Sequence, residues 1–207
     1  MTRTGDTAAD EQALCASIDA SPIATVVTNP RLPDNPVIAV NSAFCALTGY
    51  PVAEILGRNC RFLAGPDTEP WQTQGVRDAI RLMQPSLTEL LNYRKDGTPF
   101  RNALIIAPLF DDDGTLAWFI GSQVAVGCGT PGPLALRQQR AAGLVGTLSE
   151  RQREVLKEMA SGHRNKQIAW RLSLSEKTVK MHRGLALQKL GVNTSADAIR
   201  IAVEAGL

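Results

Sequence analysis

The sequence predicts an α+β unit, a five-stranded antiparallel sheet with helices on one face, followed by an all-α unit of four helices. Three observations carry this. Two short runs rich in β-branched residues and three longer ones flank a helical middle. Lys95-Asp96-Gly97 and Asp111-Asp112-Asp113-Gly114, which separate the last three runs, have the turn chemistry of hairpins. Beyond residue 148 alternation gives way to helical spacing punctuated by cap residues.

Residues 1–19 read as an N-terminal extension, a frayed end running into a short helix with Leu14 and Ile18 one turn apart. Residues 23–28 and 36–40 read as strands, separated by the turn-rich Asn29-Pro30-Arg31-Leu32-Pro33-Asp34-Asn35. Short helices broken by Gly49, Gly57, Gly65 and Pro66 follow. The longest spans 69–83, where Val76, Ile80 and Met83 share a face. Strands over 86–93, 98–110 and 115–126 complete a unit spanning 20–126. Gly127-Cys128-Gly129-Thr130-Pro131-Gly132-Pro133 reads as a linker hostile to helix and strand alike. With an amphipathic connector helix over 134–145 it fills 127–147.

The final unit, 148–207, divides into four helices. Ser149 with Gln152 makes a capping box for the first, which Gly162 ends. The second covers 165–172, and Ser173-Leu174 is a tight turn. Ser175 caps the third, which runs to Leu190 before Gly191. Thr194 with Asp197 resembles another capping box, opening a fourth helix to about residue 205. Two short helices, a brief turn and a helix with a basic face fit a helix-turn-helix unit.

Composition narrows the class. At 207 residues, 44% hydrophobic and 20% charged, the chain suits folded domains and not disorder. No stretch approaches the roughly 20 apolar residues of a membrane span, and the polar start lacks the features of a signal peptide. Cys15, Cys45, Cys60 and Cys128 are far apart with no C-x-x-C pair, which suits free thiols in a reducing cytoplasm. With only His163 and His182 and no cysteine near them, no metal site is expected. His182 reads as a helix-packing residue. The net charge of +2 hides an asymmetry: residues 149–207 carry 11 basic and 6 acidic side chains, while residues 1–148 carry 11 and 14. A basic C-terminal unit can hold phosphate, although charge alone does not establish it.

Gly57-Arg58-Asn59-Cys60-Arg61-Phe62-Leu63 resembles the signature of light-oxygen-voltage (LOV) domains, a flavin-binding branch of the PAS superfamily. The likeness extends over about residues 20–126, through Asn41-Ser42-Ala43-Phe44, Leu47-Thr48-Gly49-Tyr50, residues 92–100 and Gly121-Ser122-Gln123. It implies FMN as cofactor and Cys60 as a photoreactive thiol that forms a reversible thioether at flavin C4a under blue light. One thiol held close to that carbon replaces a bimolecular encounter. Arg61 and Arg77 are then expected on the flavin phosphate, where the guanidinium fork suits its oxygens. Asn92 and Asn102, with Asn59, are expected on the donor and acceptor edge of the pyrimidine ring. Gln123 is expected opposite flavin N5, where its amide rotates when N5 is protonated. Ala64 stands where most members carry Gln, so one flavin contact of the family is missing.

The segments 148–156, Asn165-Lys166-Gln167-Ile168-Ala169, 174–182 and Lys189-Leu190-Gly191-Val192 resemble the LuxR-type helix-turn-helix. Double-stranded DNA is the implied partner, entered by the N-terminal half of the third helix. The family positions make Lys180 and Met181 base readers. They put Lys177, Thr178 and Arg183 on phosphate, with Asn165 and Lys166 as further candidates. Gly184 stands where relatives can carry a base-reading lysine.

The two resemblances together imply a light-regulated transcription factor and no enzyme. In darkness the monomer's sheet is expected to cover the fourth helix, whose Ala198, Ile199, Ala202 and Val203 form an apolar stripe. Light then frees that helix to pair with its copy, and the homodimer binds DNA. The alternative is a light-independent regulator sensing a small molecule or redox state through the same pocket.

Overall fold

The computed structural model describes residues 4–126 and 132–207. Cys128 and most of the predicted linker lie outside the described residues. Strands β1 (Ala24–Thr28), β2 (Val37–Val40), β3 (Ser86–Tyr93), β4 (Pro99–Phe110) and β5 (Leu116–Val126) form one antiparallel sheet in the order β2-β1-β5-β4-β3. The last strand lies in the middle, paired with β1 on one side and β4 on the other. That pairing joins the two early strands to the three late ones.

Helices α2 (Ser42–Thr48), α3 (Val52–Ile55) and α4 (Pro70–Leu82), with a 3₁₀ turn at Cys60–Leu63, pack on one face. The α4 boundaries lie within a residue of the expected ones. Pro70 occupies its first turn, where a missing N–H costs nothing. Buried Asn41 organises the entry to this layer. Its Oδ1 accepts the N–H groups of Thr25 and Phe44, and its Nδ2 donates to the carbonyls of Ile18, Ser21 and Ile23. One amide thus ties the end of α1 to β1 and caps α2.

Two expectations are corrected. Helix α1 (Thr4–Asp19) has 16 residues, not the short segment anticipated from one apolar pair. Helix α5 (Gly132–Gly146) starts inside the stretch read as linker, because Pro133 falls in its first turn, where proline is compatible with helix.

The C-terminal helices are α6 (Glu150–Ala160), α7 (Asn165–Leu172), α8 (Glu176–Leu190) and α9 (Ser195–Glu204). The Ser149 box forms: Gln152 N–H donates to Ser149 Oγ at 3.4 Å, and Ser149 N–H donates to Gln152 Oε1 at 2.9 Å. Ser173, at φ 54°, supplies the left-handed turn between α7 and α8. The Thr194–Asp197 box forms only in part. Thr194 Oγ1 accepts the Asp197 N–H, but the Asp197 carboxylate takes the Thr194 hydroxyl at 2.7 Å and the Ser21 hydroxyl at 2.8 Å. One carboxylate oxygen thus stays on the hydroxyl of its own cap residue while the other reaches Ser21 in the other unit of the chain.

Helix α9 is buried around nearly its whole circumference, as only an interior helix can be. It packs on α5, α6 and α8 on one side and on β3, β4, β5 and α1 on the other. Ile105, Ala107, Trp118 and Ile120 of the sheet join Ile199, Ile201, Ala202 and Val203 of α9 in a single apolar core. Full burial of one such aliphatic side chain stabilises by about 1.5–3 kcal/mol. Among the described residues no helix is long and apolar enough to cross a membrane.

The β4–β5 hairpin also grips the helix-turn-helix directly. Phe110 N–H donates to the Gly162 carbonyl at 3.1 Å, Arg164 Nε donates to the Phe110 carbonyl at 2.9 Å, and Gln167 Nε2 donates to the Asp111 carbonyl at 3.0 Å. Gly162 has φ +87°, and a Cβ there would stand 2.3 Å from the Pro108 carbonyl oxygen. Gly162→Ala is expected to destabilise the full chain by about 1–3 kcal/mol, from backbone strain and loss of this close approach. A urea unfolding midpoint at or above the wild-type value contradicts that.

Candidate functional site

Alternation along the strands decides what faces inward on the α4 side. Leu90 and Asn92 of β3, Asn102, Leu104 and Ile106 of β4, and Phe119, Gly121 and Gln123 of β5 all line one cavity. Asn59, Cys60, Arg61 and Leu63 of the 3₁₀ segment and Val76, Arg77 and Ile80 of α4 close it. Its volume is about 670 Å³, well within the range of small-molecule sites. The cavity therefore brings together Cys60 and all six side chains that the sequence singled out for a cofactor.

Three buried amides cross its floor. Asn102 Nδ2 donates to Asn92 Oδ1 at 2.8 Å and to Gln123 Oε1 at 3.0 Å, and Asn92 Nδ2 donates to the Leu63 carbonyl at 3.2 Å. Asn102 Oδ1 is buried with no hydrogen-bond partner among the described residues. An orphaned acceptor of this kind costs about 1–3 kcal/mol, and a flat ligand presenting an N–H edge to it would satisfy it. The residues therefore fit a flavin pyrimidine ring.

Cys60 begins the 3₁₀ turn. Asn59 caps that turn by accepting the Arg61 N–H at 3.0 Å and donates to the Asp34 carbonyl at 2.6 Å. Its amide thus has backbone work at the rim. Burial pushes the Cys60 thiol up to about 12, with a backbone hydrogen bond pulling the other way. Arg61 and Arg77 stand exposed at the mouth. Arg61 forks onto the Asp34 carboxylate at 2.6 Å through both Nη atoms, and Arg77 reaches the Gln74 amide at 3.5 Å. Asp34, read from the sequence only as part of a turn, is a cavity residue that sequence reasoning missed.

The helix-turn-helix surface is separate from this cavity. Lys177 and Lys180 are exposed on α8, and Met181 is 51% exposed. Thr178 is half-buried, its hydroxyl paired with Ser175 Oγ at 2.8 Å beside the cap. Arg183 departs from the expectation of a free phosphate grip. Its guanidinium turns inward, donating to Asn165 Oδ1 at 3.1 Å and to Ser195 Oγ, and burial lowers its pKa. It braces α7, α8 and α9 against one another. Spacing along one helix could not show this, because both partners lie on other helices. Trp170, 83% exposed on α7, carried no sequence signal either.

A PAS-type sheet with a thiol-bearing cavity, joined to a helix-turn-helix, defines a sensor coupled to a DNA-binding module. Residues 22–124 match the PAS domain family, and residues 146–202 match the luxR family of bacterial regulatory proteins. The blue-light-activated histidine kinase 1 of Erythrobacter litoralis is 50% identical over 101 residues, 49% of this chain and 28% of that protein. The chain spans between 23% and 34% of the length of the first three such kinases it matches. The solved LOV domain of an Erythrobacter litoralis blue-light-activated histidine kinase is 38% identical, with a TM-score of 0.50 over 52% of this chain and 98% of that one. The Rhodobacter sphaeroides LOV protein is 28% identical, with a TM-score of 0.59 over 84% and 96%. The chain belongs to the LOV branch of the PAS superfamily and carries a LuxR-type helix-turn-helix domain.

The Cys60 environment has a chemical consequence. A group whose folded-state pKa lies above its ordinary value keeps its proton until the pH approaches the higher number, so Cys60 is a neutral thiol throughout the physiological range. Alkylation of Cys60 by iodoacetamide at pH 8 is expected to be about 10³-fold slower than that of a free cysteine, which is partly thiolate there. Mass mapping of the modified peptide measures it, and labelling as fast as a free thiol refutes it. Folding stability through this group is present below the ordinary thiol value and is lost as pH rises from there toward 12.

Proposed function

We propose that this protein is a blue-light-regulated transcription factor whose cavity holds FMN and whose Cys60 is the photoreactive thiol. The observation that carries this is the convergence of Cys60, the three amides and the two mouth guanidines on one cavity, with α9 packed on the reverse of the same strands. Bound FMN would supply blue-light absorption and an electrophilic ring carbon beside a proton-accepting ring nitrogen, and Cys60 would provide the sulfur and the proton that answer them.

The remaining roles belong to the chain. Asn92 and Asn102 orient the ring edge, and the orphaned Asn102 carbonyl takes its N–H. Arg61 and Arg77 bind the terminal phosphate. Burial holds the proton on Cys60 Sγ until the sulfur reacts. Gln123 answers a changed hydrogen-bonding partner by rotating its amide, and that rotation acts on the central strand. Trp118 and Ile120, farther back along β5, share the apolar core of α9, so a shift of β5 disturbs the contact covering that helix.

Control falls on α9 and not on the reading helix. Lys177, Lys180 and Met181 already face outward, so the compact arrangement withholds the helix that pairs two copies. One small helix-turn-helix makes few contacts, and a dimer reads two half-sites about 34 Å apart. Moving the population from 1:99 to 99:1 takes about 5.5 kcal/mol of differential stabilisation. A handful of aliphatic contacts and hydrogen bonds at the α9 face has that size. The protein is on this reading a non-enzymatic regulator, although several relatives of its sensor unit are named as kinases.

Purified protein is expected to be yellow, to lose its blue absorption band on illumination and to regain it in darkness. Cys60→Ala keeps the colour and loses the response. Illuminated wild type shifts specific DNA as a dimer, while dark wild type and Cys60→Ala do not. A colourless preparation that takes up no flavin, or light-independent DNA binding, rejects the proposal.

A further inference from the structure

The loop between β1 and β2 is strapped over the cavity mouth. Pro30, Leu32, Asp34 and Asn35 line the cavity, and Asp34 and Asn35 both take left-handed backbone conformations at φ 68° and 47°. Two contacts hold the loop to the segment bearing Cys60. Asn59 Nδ2 donates to the Asp34 carbonyl, and Arg61 places both Nη atoms on the Asp34 carboxylate. The Arg61 fork is thereby filled by an internal anion. Arg77 differs, since it touches only the neutral Gln74 amide among the described hydrogen-bond and ion-pair contacts.

We propose that Asp34 sets the site's discrimination between phosphorylated and unphosphorylated flavin, by occupying the guanidinium that a terminal phosphate would take. This rests on the flavin reading of the cavity. A phosphomonoester carries about −1.5 to −2 charges at neutral pH. On approaching Arg61 it either displaces the Asp34 carboxylate or remains beside it at the cost of like-charge repulsion. Both outcomes penalise FMN, and neither touches riboflavin, which ends in a hydroxyl. The Arg61 guanidinium holds the Asp34 carboxyl below the usual carboxylate range, so the competing charge is present at neutral pH. The pair is solvent-exposed, at 66% and 56% for the two side chains. Its worth is therefore modest, a factor of up to about five in an equilibrium constant.

Titration of full-length apoprotein with FMN and with riboflavin, followed by flavin fluorescence quenching, tests this in wild type and Asp34→Asn. Asparagine accepts positive φ as readily as aspartate, so the variant keeps the loop's backbone. FMN is expected to bind Asp34→Asn about five-fold more tightly, and riboflavin with unchanged affinity. The FMN gain is expected to shrink near 1 M salt, where the Debye length falls to about 3 Å. It is also expected to vanish in an Arg61→Gln background, where the fork is gone. Unchanged or weaker FMN binding by Asp34→Asn overturns the proposal, the latter showing that Asp34 orients Arg61 for phosphate. An equal shift for both flavins overturns it too. Failure of wild type to bind either flavin removes the flavin reading and this proposal together, whereas the preceding outcomes leave that reading standing.

Discussion

The two-residue period of a β-strand governs how the halves of this molecule meet. Along β4 and β5, consecutive side chains must point to opposite faces of the sheet. Asn102, Leu104, Phe119 and Gln123 therefore face the cavity, while Ile105, Ala107, Trp118 and Ile120 face α9. The central strands have no solvent-facing side. Each is a thin wall between two buried compartments, so a side-chain rearrangement in one lies a single peptide unit from the packing of the other.

The two compartments differ chemically. The cavity side has a row of amides, one with an unanswered acceptor, and a thiol that burial keeps protonated. Buried polar groups of this kind specify a partner more strongly than apolar surface does, because a mismatch leaves them unpaired. The α9 side is apolar at its centre with polar contacts around it: Ser21 on Asp197, Arg164 on the Phe110 carbonyl, and Gln167 on the Asp111 carbonyl. Hydrophobic contact holds the helix without strong directionality, and the hydrogen bonds fix its register. An interface of that composition can separate without stranding the buried charges of α9, since Thr194 stays with Asp197 and Arg200 stays with Glu204.

Much of the architecture was legible because its signals are local. Alternation, hairpin turns and caps lie within a few residues of one another, so strand bounds and the C-terminal helices follow closely from spacing. The misjudged segments were those without a local signal. Helix α1 has almost no amphipathic pattern, and its end is held by Asn41, distant in sequence. Pro133 reads as a breaker from sequence because a proline's effect depends on whether it falls first or later in a helix. Position on the helix puts Arg183 with the phosphate contacts, and its internal partners Asn165 and Ser195 are invisible to that reading because they sit on neighbouring helices. Asp34 reads only as a turn residue because its partner Arg61 is 27 positions away.

Residue order alone establishes the class of each unit and the identity of the chemistry-bearing side chains: a thiol in a basic, asparagine-flanked motif, amides on alternating strands, and basic residues on a capped helix. These are properties of residue type and short spacing, and short-range chemistry is written in consecutive letters. Folding in three dimensions sets α9 against the back of the cavity wall, turns Arg183 onto Asn165 and Ser195, and fills the Arg61 fork with Asp34. Each of those depends on pairing residues from separate elements. Chain packing selects such pairs through shape and buried area, which no local pattern encodes.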